Sequence, residues 1–182
     1  MEKILITGTG RCGTTFLIKL FTFLNFNTGF TKHNYNEHIF KNCNSGMERT
    51  YTENYYILKN PKFILNIEHI LKDTSVKIKK VIIPIRNFKQ SAMSRVKHGN
   101  TPGGLWNSAN ETTQIKFYKH IMSNYLYFMV KYDIETIFID FDKMINDKQY
   151  LFNKLKSILD EKNIEFSIFS QIYDEVTTTS KP

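Results

Sequence analysis

The fold of this chain is decided by the stretch Ile4-Leu5-Ile6-Thr7-Gly8-Thr9-Gly10-Arg11-Cys12-Gly13-Thr14-Thr15-Phe16-Leu17. An apolar run, typical of a buried strand, passes through a glycine-rich turn into a helical pattern that begins at Gly13. Gly8, Gly13 and Thr15 stand at the spacing of a phosphate-binding loop, G-x-x-x-x-G-x-[ST]. Thr14 occupies the position of the lysine that binds a triphosphate, whereas Arg11 places a cation inside the loop. The loop is therefore expected to bind an anion other than the phosphates of ATP.

The composition is that of a packed globular protein with an anionic partner. The chain has 182 residues, 41% of them hydrophobic, which predicts a single domain over residues 1–182. Its formal net charge of +8 suits a nucleotide, a nucleic acid or an acidic membrane, and charge alone does not choose among them.

Neither the cysteines nor the apolar runs indicate an extracellular or membrane protein. The two cysteines, Cys12 and Cys43, form no disulfide framework and no metal site, and we expect free thiols in a reducing compartment. Amides of the loop and Arg11 could lower the pKa of Cys12, which leaves a redox or nucleophilic role as the alternative to a plain free thiol. No signal peptide is visible, and no apolar stretch reaches the ~20 residues of a membrane span, so we expect a cytoplasmic protein.

Strand-like and helical patterns alternate along the chain. We predict strands at 4–7, 26–30, 55–58, 80–85 and 135–141, and helices at 13–24, 63–71, 88–96, 111–132 and 143–159. Residues 32–52 are expected to be loop or short helix, 97–110 a mobile loop, and the tail from 176 frayed. This alternation predicts an α/β fold, a three-layer sandwich with a central parallel sheet flanked by helices.

Three segments that carry chemistry follow predicted strands. Ligands of such sheets bind beyond the carboxyl ends of the strands, so residues 8–15, 59–61 and 86–95 should converge at one edge. Arg86 leaves the end of a strand, and Ser94 follows in the first turns of the next helix. Their guanidinium and hydroxyl groups could hold a second phosphate beside the first loop.

Together, the two motifs resemble the sulfotransferase family that uses 3′-phosphoadenosine 5′-phosphosulfate (PAPS). Its first loop, [K/R]-x-G-T-T, corresponds here to Arg11-Cys12-Gly13-Thr14-Thr15. The resemblance implies that this loop grips the 5′-phosphosulfate and that Arg86 and Ser94 hold the 3′-phosphate, with Phe88 where the family often has proline. The residues implied to bind PAPS, or its product 3′-phosphoadenosine 5′-phosphate (PAP), are Gly10, Arg11, Cys12, Gly13, Thr14, Thr15, Arg86 and Ser94.

The same resemblance implies a set of catalytic residues. Lys59 matches the lysine near the transferred sulfuryl group, and Arg11 and Lys59 would neutralise the charge that develops there. Pro61 stands where cytosolic members have a histidine base, so the chain is expected to use a glutamate instead. Glu37 fits that role best, and the competing candidates are His33, Glu48 and Glu53.

These observations predict a sulfotransferase whose acceptor is a hydroxyl or amine on a small molecule, carbohydrate or lipid. A P-loop nucleoside or small-molecule kinase is one alternative; it is disfavoured by Thr14 in the lysine position and by the lack of a clear aspartate for magnesium. A non-catalytic nucleotide or nucleic-acid binding module is the other. Because the motifs cluster at strand ends rather than along an aromatic and basic surface, nucleic acid is not the expected partner.

Overall fold

The structure, a computed structural model, describes residues 2–40, 43–99 and 103–179. Its strands are β1 (Glu2–Ile6), β2 (Ile39–Phe40), β3 (Ser45–Gly46), β4 (Ile57–Lys59), β5 (Lys77–Ile85) and β6 (Thr136–Asp140). Its α-helices are α1 (Thr14–Phe23), α2 (Ile67–Lys72), α3 (Phe88–His98), α4 (Glu111–Lys131), α5 (Phe141–Asn146), α6 (Lys148–Leu159) and α7 (Phe166–Thr178). No helix in these parts of the chain combines the length and the apolar character that a membrane crossing requires.

The central sheet has four parallel strands in the order β4-β1-β5-β6. From β1 the chain moves outward to β4, and it then returns past β1 to build β5 and β6 on the other side. The direction of the connections therefore reverses between β1 and β5. In open α/β sheets the ligand crevice lies at this reversal, outside the carboxyl ends of the two strands.

Helices cover both faces of the sheet. Alternate residues of β1 point to opposite faces, as the pleat requires: Ile4 and Ile6 join one apolar cluster, and Leu5 joins the other. The first cluster contains side chains of α1, α6 and α7, and the second contains side chains of α2, α3 and α4. The α/β prediction is confirmed, and the arrangement is compatible with the expected three layers.

Four of the five predicted strands are present, but the strand at 26–30 is wrong. Phe26 and Phe30 are buried in the first core cluster without joining the sheet. Asn25 and Gly29 adopt positive φ values of 59° and 77°, which turn the backbone too sharply for strand pairing. The apolar pattern at this position indicates only that the side chains are buried. A loop that faces the core buries them as well as a strand does.

Other differences concern helix boundaries. The predicted helix at 143–159 is two helices, because Asp147 is extended (φ −133°) and its side chain accepts a hydrogen bond from the Tyr150 amide, starting α6 anew. The predicted helix at 63–71 is a 3₁₀ turn, Pro61–Leu65, followed by α2. Sequence patterns missed α7, which buries Phe169. Because this helix extends to Thr178, the prediction of a frayed tail from 176 is wrong for residues 176–178. Residues 100–102 of the predicted mobile loop and 180–182 of the tail lie outside the described residues.

Candidate active site

The glycine loop, residues 8–15, connects β1 to α1 through a backbone that requires glycine at two positions. Gly10 and Gly13 have φ values of 72° and 91°, in the left-handed region. A Cβ atom at Gly10 would lie 2.0 Å from Nη2 of Arg95, and one at Gly13 would lie 2.3 Å from Cε of Met144. Conformation and packing thus both exclude a side chain, and the loop is held tightly against α3 and α5.

The loop ends at the positive end of a helix. The first main-chain bond of α1 runs from the Leu17 amide to the Gly13 carbonyl, at 3.2 Å. The amides of residues 14–16 precede it, and such amides have no acceptor within the helix. Together with the helix dipole they favour an anion at this point, beside the buried Thr14.

Contacts of Arg11 and Arg86 bring the two sequence motifs together. Nε of Arg11 donates a hydrogen bond to Oγ of Ser94 at 3.1 Å, and its Nη1 donates to the carbonyl of Cys43. Nη1 of Arg86 donates to the carbonyl of Arg11 at 3.2 Å. The residues that sequence patterns placed at the ends of β1 and β5 therefore lie in direct contact at the reversal point of the sheet.

The Arg86 guanidinium is oriented by an aromatic ring and retains one buried donor. Its central carbon lies 4.6 Å from the centroid of the Phe141 ring, at the start of α5. Its Nε is buried and has no hydrogen-bond partner among the described residues. A buried donor without an acceptor is costly, and Nε of Arg49 and Oγ of Ser91 share this property among the described residues.

Arg95 is a central residue of the site that the sequence patterns did not identify. It is only 7% exposed, and its Nε donates to the Tyr118 hydroxyl at 2.7 Å. Nη1 donates to the Gly104 carbonyl and Nη2 donates to the Thr9 carbonyl at 3.2 Å, which ties α3 to the glycine loop. Burial raises the pKa of Tyr118 to about 12, so its hydroxyl stays neutral. Ser91, Ala92 and Arg95 are buried together on one face of α3. Their helical spacing is the sequence signal that places Arg95 on the inner face of this helix.

Three arginines, Arg11, Arg86 and Arg95, lie together at this edge of the sheet. Within the described ranges, none of Arg11, Arg86 and Arg95 lies within ion-pair distance of a carboxylate. Burial lowers the pKa of Arg11, and the charges of Arg95 and Arg86 lower it further. Since a guanidinium stays protonated in proteins, the three groups repel one another and would be stabilised by an anion.

Lys59 adds a fourth cation from the neighbouring strand. Its Cα pairs in register with Ile6, so Lys59 lies beside the start of the glycine loop. The side chain is 1% exposed, and Nζ donates to the Gly46 carbonyl at 2.8 Å and to Oε1 of Glu48 at 3.3 Å. Burial lowers the pKa of Lys59, and the negative charge of Glu48 opposes that change.

Two of the candidate bases share one cavity. A cavity of about 310 Å³ is lined by residues 37–40 and 46–48, and it includes Glu37 and Glu48. Glu37 lies exposed on the 3₁₀ turn Tyr35–His38, whereas Glu48 reaches Lys59. His33 does not line this cavity, and Glu53 forms an ion pair with Arg49 at 3.1 Å. A second cavity of about 370 Å³ is lined by mostly apolar residues, including Phe23, Leu24 and Ile172, and contains no predicted site residue.

Cys12 is a buried thiol, and burial decides the direction of its pKa shift. Its side chain is completely buried, and a Cβ atom at Gly8 would lie 2.9 Å from its sulfur. Burial raises the pKa of the Cys12 thiol, although hydrogen bonds from Gly10 and Thr9 oppose that change. The lowering that the loop could have caused is therefore absent, because desolvation outweighs the nearby amides and cations. Cys12 supports the loop by packing.

Comparison with models of known families, with characterised proteins and with solved structures found no match. The interpretation of the site accordingly depends on its own geometry and on the motifs that form it. The site has three arginines, a buried lysine and a helix N-terminus on one side, and two carboxylates on the other.

Proposed function

We propose that this chain is a sulfotransferase that moves a sulfuryl group from PAPS to a hydroxyl or amine of an acceptor. The observation that carries the proposal is the contact between the two motifs where the sheet order reverses. Arg11 donates to Ser94 at 3.1 Å, and Arg86 donates to the Arg11 carbonyl at 3.2 Å. Two motifs with the residue types and spacing of a PAPS site thus meet at the crevice where α/β sheets bind nucleotides.

The chemistry of the donor set supports a ligand with two separated anionic groups. The glycine loop and the amides of residues 14–16 suit the 5′-phosphosulfate, in a P-loop-like turn of a three-layer sandwich. Arg86, with its unpartnered Nε, and Ser94 suit the 3′-phosphate. In the part of the chain that the structure describes, no carboxylate lies within ion-pair distance of the three arginines, which favours a highly charged anion over a neutral ligand.

The roles of the remaining residues follow from where charge changes during transfer. Sulfuryl transfer, like phosphoryl transfer, places negative charge on the leaving oxygen and on the equatorial oxygens. Arg11, Lys59 and the loop amides are the groups that would stabilise this charge. Glu37, which lines the adjoining cavity, would accept the proton that the acceptor loses.

Calorimetry with PAP and with adenosine 5′-monophosphate tests the donor site without an acceptor. The wild-type chain should bind PAP more tightly than the monophosphate, which lacks the 3′-phosphate. Arg86→Ala should weaken PAP binding about 10- to 100-fold, the value of charged hydrogen bonds, and leave the monophosphate nearly unaffected. Lys154→Ala, an exposed cation on α6, removes the same charge and should change neither affinity.

Two results would contradict the proposal. One is the absence of PAP binding by the wild-type chain, and the other is equal PAP binding by the wild type and Arg86→Ala. Magnesium-dependent ATP hydrolysis would favour the kinase alternative. Salt-sensitive nucleic-acid binding without PAP binding would favour the binding module.

A further inference from the structure

Residues 43–48, here named the strap, accept hydrogen bonds from two cations of the site. The Cys43 carbonyl accepts from Nη1 of Arg11. The Gly46 carbonyl and the Glu48 carboxylate both accept from Nζ of Lys59, at 2.8 and 3.3 Å. A short segment on the carboxylate side therefore occupies donors that an anion in the glycine loop would also use.

The hydrogen-bond partners of Lys59 determine whether its ammonium is free to bind an anion. An ammonium has three donors, and the strap takes two of those of Lys59. With 1% exposure, this side chain has little water to replace either partner. Glu48 is its one ion-pair partner among the described residues, and the Glu48 side chain is 43% exposed. Glu48 can thus turn toward solvent when Lys59 turns toward an anion.

We infer that Glu48 is a positioning residue that holds Lys59 against the strap and competes with the donor's 5′-phosphate for it. This inference rests on the proposed function. It assigns Glu48 an action through Lys59, distinct from the proton transfer that the sequence analysis considered for it. The donor gains the Lys59 contact only by displacing the Glu48 carboxylate, so this carboxylate weakens donor binding.

The competition has a distinctive pH dependence. Burial lowers the pKa of Lys59, and the negative charge of Glu48 opposes that change; Cys12 and Cys43, the other titratable groups beside Lys59, would oppose it only as thiolates. Removing the Glu48 charge therefore lowers this pKa further. Lys59 binds an anion only when protonated, so its contribution is complete below its pKa and is lost as the pH rises through it. In Glu48→Gln this loss should begin at a lower pH than in the wild type.

Calorimetry with PAP over a range of about pH 6 to 9 tests the inference. At the acidic end, Glu48→Gln should bind PAP about threefold to fivefold more tightly than the wild type, as expected for the loss of one partly exposed competing ion pair. This advantage should shrink as the pH rises. Glu37→Gln removes the same charge from the same cavity without touching Lys59, so its PAP affinity and the pH profile of that affinity should match those of the wild type.

A second measurement needs no ligand. The pH titration of the Lys59 ammonium, followed by NMR with isotope-labelled lysine, should move to lower pH in Glu48→Gln and not in Glu37→Gln. Glu48→Asp, which keeps the charge on a shorter side chain, should fall between Glu48→Gln and the wild type in both measurements.

The outcomes separate the inference from the proposed function. Equal effects of Glu48→Gln and Glu37→Gln on PAP affinity would overturn the inference while leaving the donor site intact. Weaker PAP binding by Glu48→Gln at the acidic end would also overturn it. If the wild type binds no PAP, the proposed function fails; an unchanged Lys59 titration in Glu48→Gln would then show that Glu48 does not hold this ammonium.

Discussion

Two regions of the molecule meet at the candidate site, and they are built differently. The arginine side, residues 8–15 and 86–95, follows the two central strands of the sheet and contains Arg95, which is 7% exposed. In the carboxylate side, residues 35–40 and 43–48, the regular elements are a 3₁₀ turn and two strands of two residues each, and Phe40 is 57% exposed. Both regions contact the core, since Tyr35 and Met47 belong to the first apolar cluster, but only the arginine side directly follows strands of the central sheet.

The two regions differ in how much regular structure holds them: the arginine side is fixed by the central sheet, and the carboxylate side by a short isolated strand pair. On the arginine side, β1 and β5 pair directly, and Arg95 links Thr9, Gly104 and Tyr118 through one guanidinium. On the carboxylate side, the isolated pair β2 and β3 is too short to be stable by itself. A preformed side suits a ligand of constant structure, such as a nucleotide donor, and an adaptable side suits a variable acceptor.

The largest expected effect comes from removing the cation inside the glycine loop. Arg11→Ala should slow PAPS desulfation about 10²- to 10³-fold, because removing one preorganised donor to the charge that develops in the transition state lowers the rate by this factor. The measurement is release of PAP from PAPS in the presence of small alcohols and amines. Lys154→Ala, which loses one exposed positive charge far from the loop, serves as the control. An equal loss of desulfation rate in both variants would show that only the net charge matters. It would contradict the role of Arg11 as a positioned donor.

A change on the carboxylate side should separate binding from turnover. Glu37→Gln keeps the size of the side chain and removes its basicity, so sulfuryl transfer should slow at least ~100-fold while PAP affinity stays the same. Desulfation rates and calorimetry measure the two quantities. Glu165→Gln, an exposed carboxylate at the start of α7, should alter neither. Near-normal turnover in Glu37→Gln would move the base to Glu48 or His33.

The arginine side could be predicted from the sequence because sheet topology determines it. Once residues 4–7 and 80–85 are parallel neighbours, the loops after them must meet, and this places Arg11 near Arg86. Lys59 follows from the same rule through its pairing with Ile6. Period and spacing carry such information because each strand residue has a defined neighbour and face.

The carboxylate side could not be predicted in the same way. The contact between Glu48 and Lys59 depends on how a segment without regular period folds back over the sheet, and no spacing rule describes that path. Arg95 was overlooked for a different reason. Most arginines are exposed, so the residue type alone predicts a surface cation, although this one is buried. The direction of the Cys12 pKa shift could not be derived from the loop sequence, since burial, which raises this pKa, is a tertiary property.

The rigidity assigned to the arginine side can be tested at a glycine. Gly10→Ala places a Cβ atom 2.0 Å from Nη2 of Arg95 at a φ of 72°, whereas Gly99→Ala places one in open space at a φ of 52°. A positive φ costs an alanine about 1–3 kcal/mol of unfolding free energy at each of the two positions. Gly10→Ala should lose about 2 kcal/mol more, because Arg95 must give up buried hydrogen bonds to make room. Urea unfolding measures both values. Equal losses would mean that Arg95 shifts at no cost, and the arginine side would then be as adaptable as the carboxylate side.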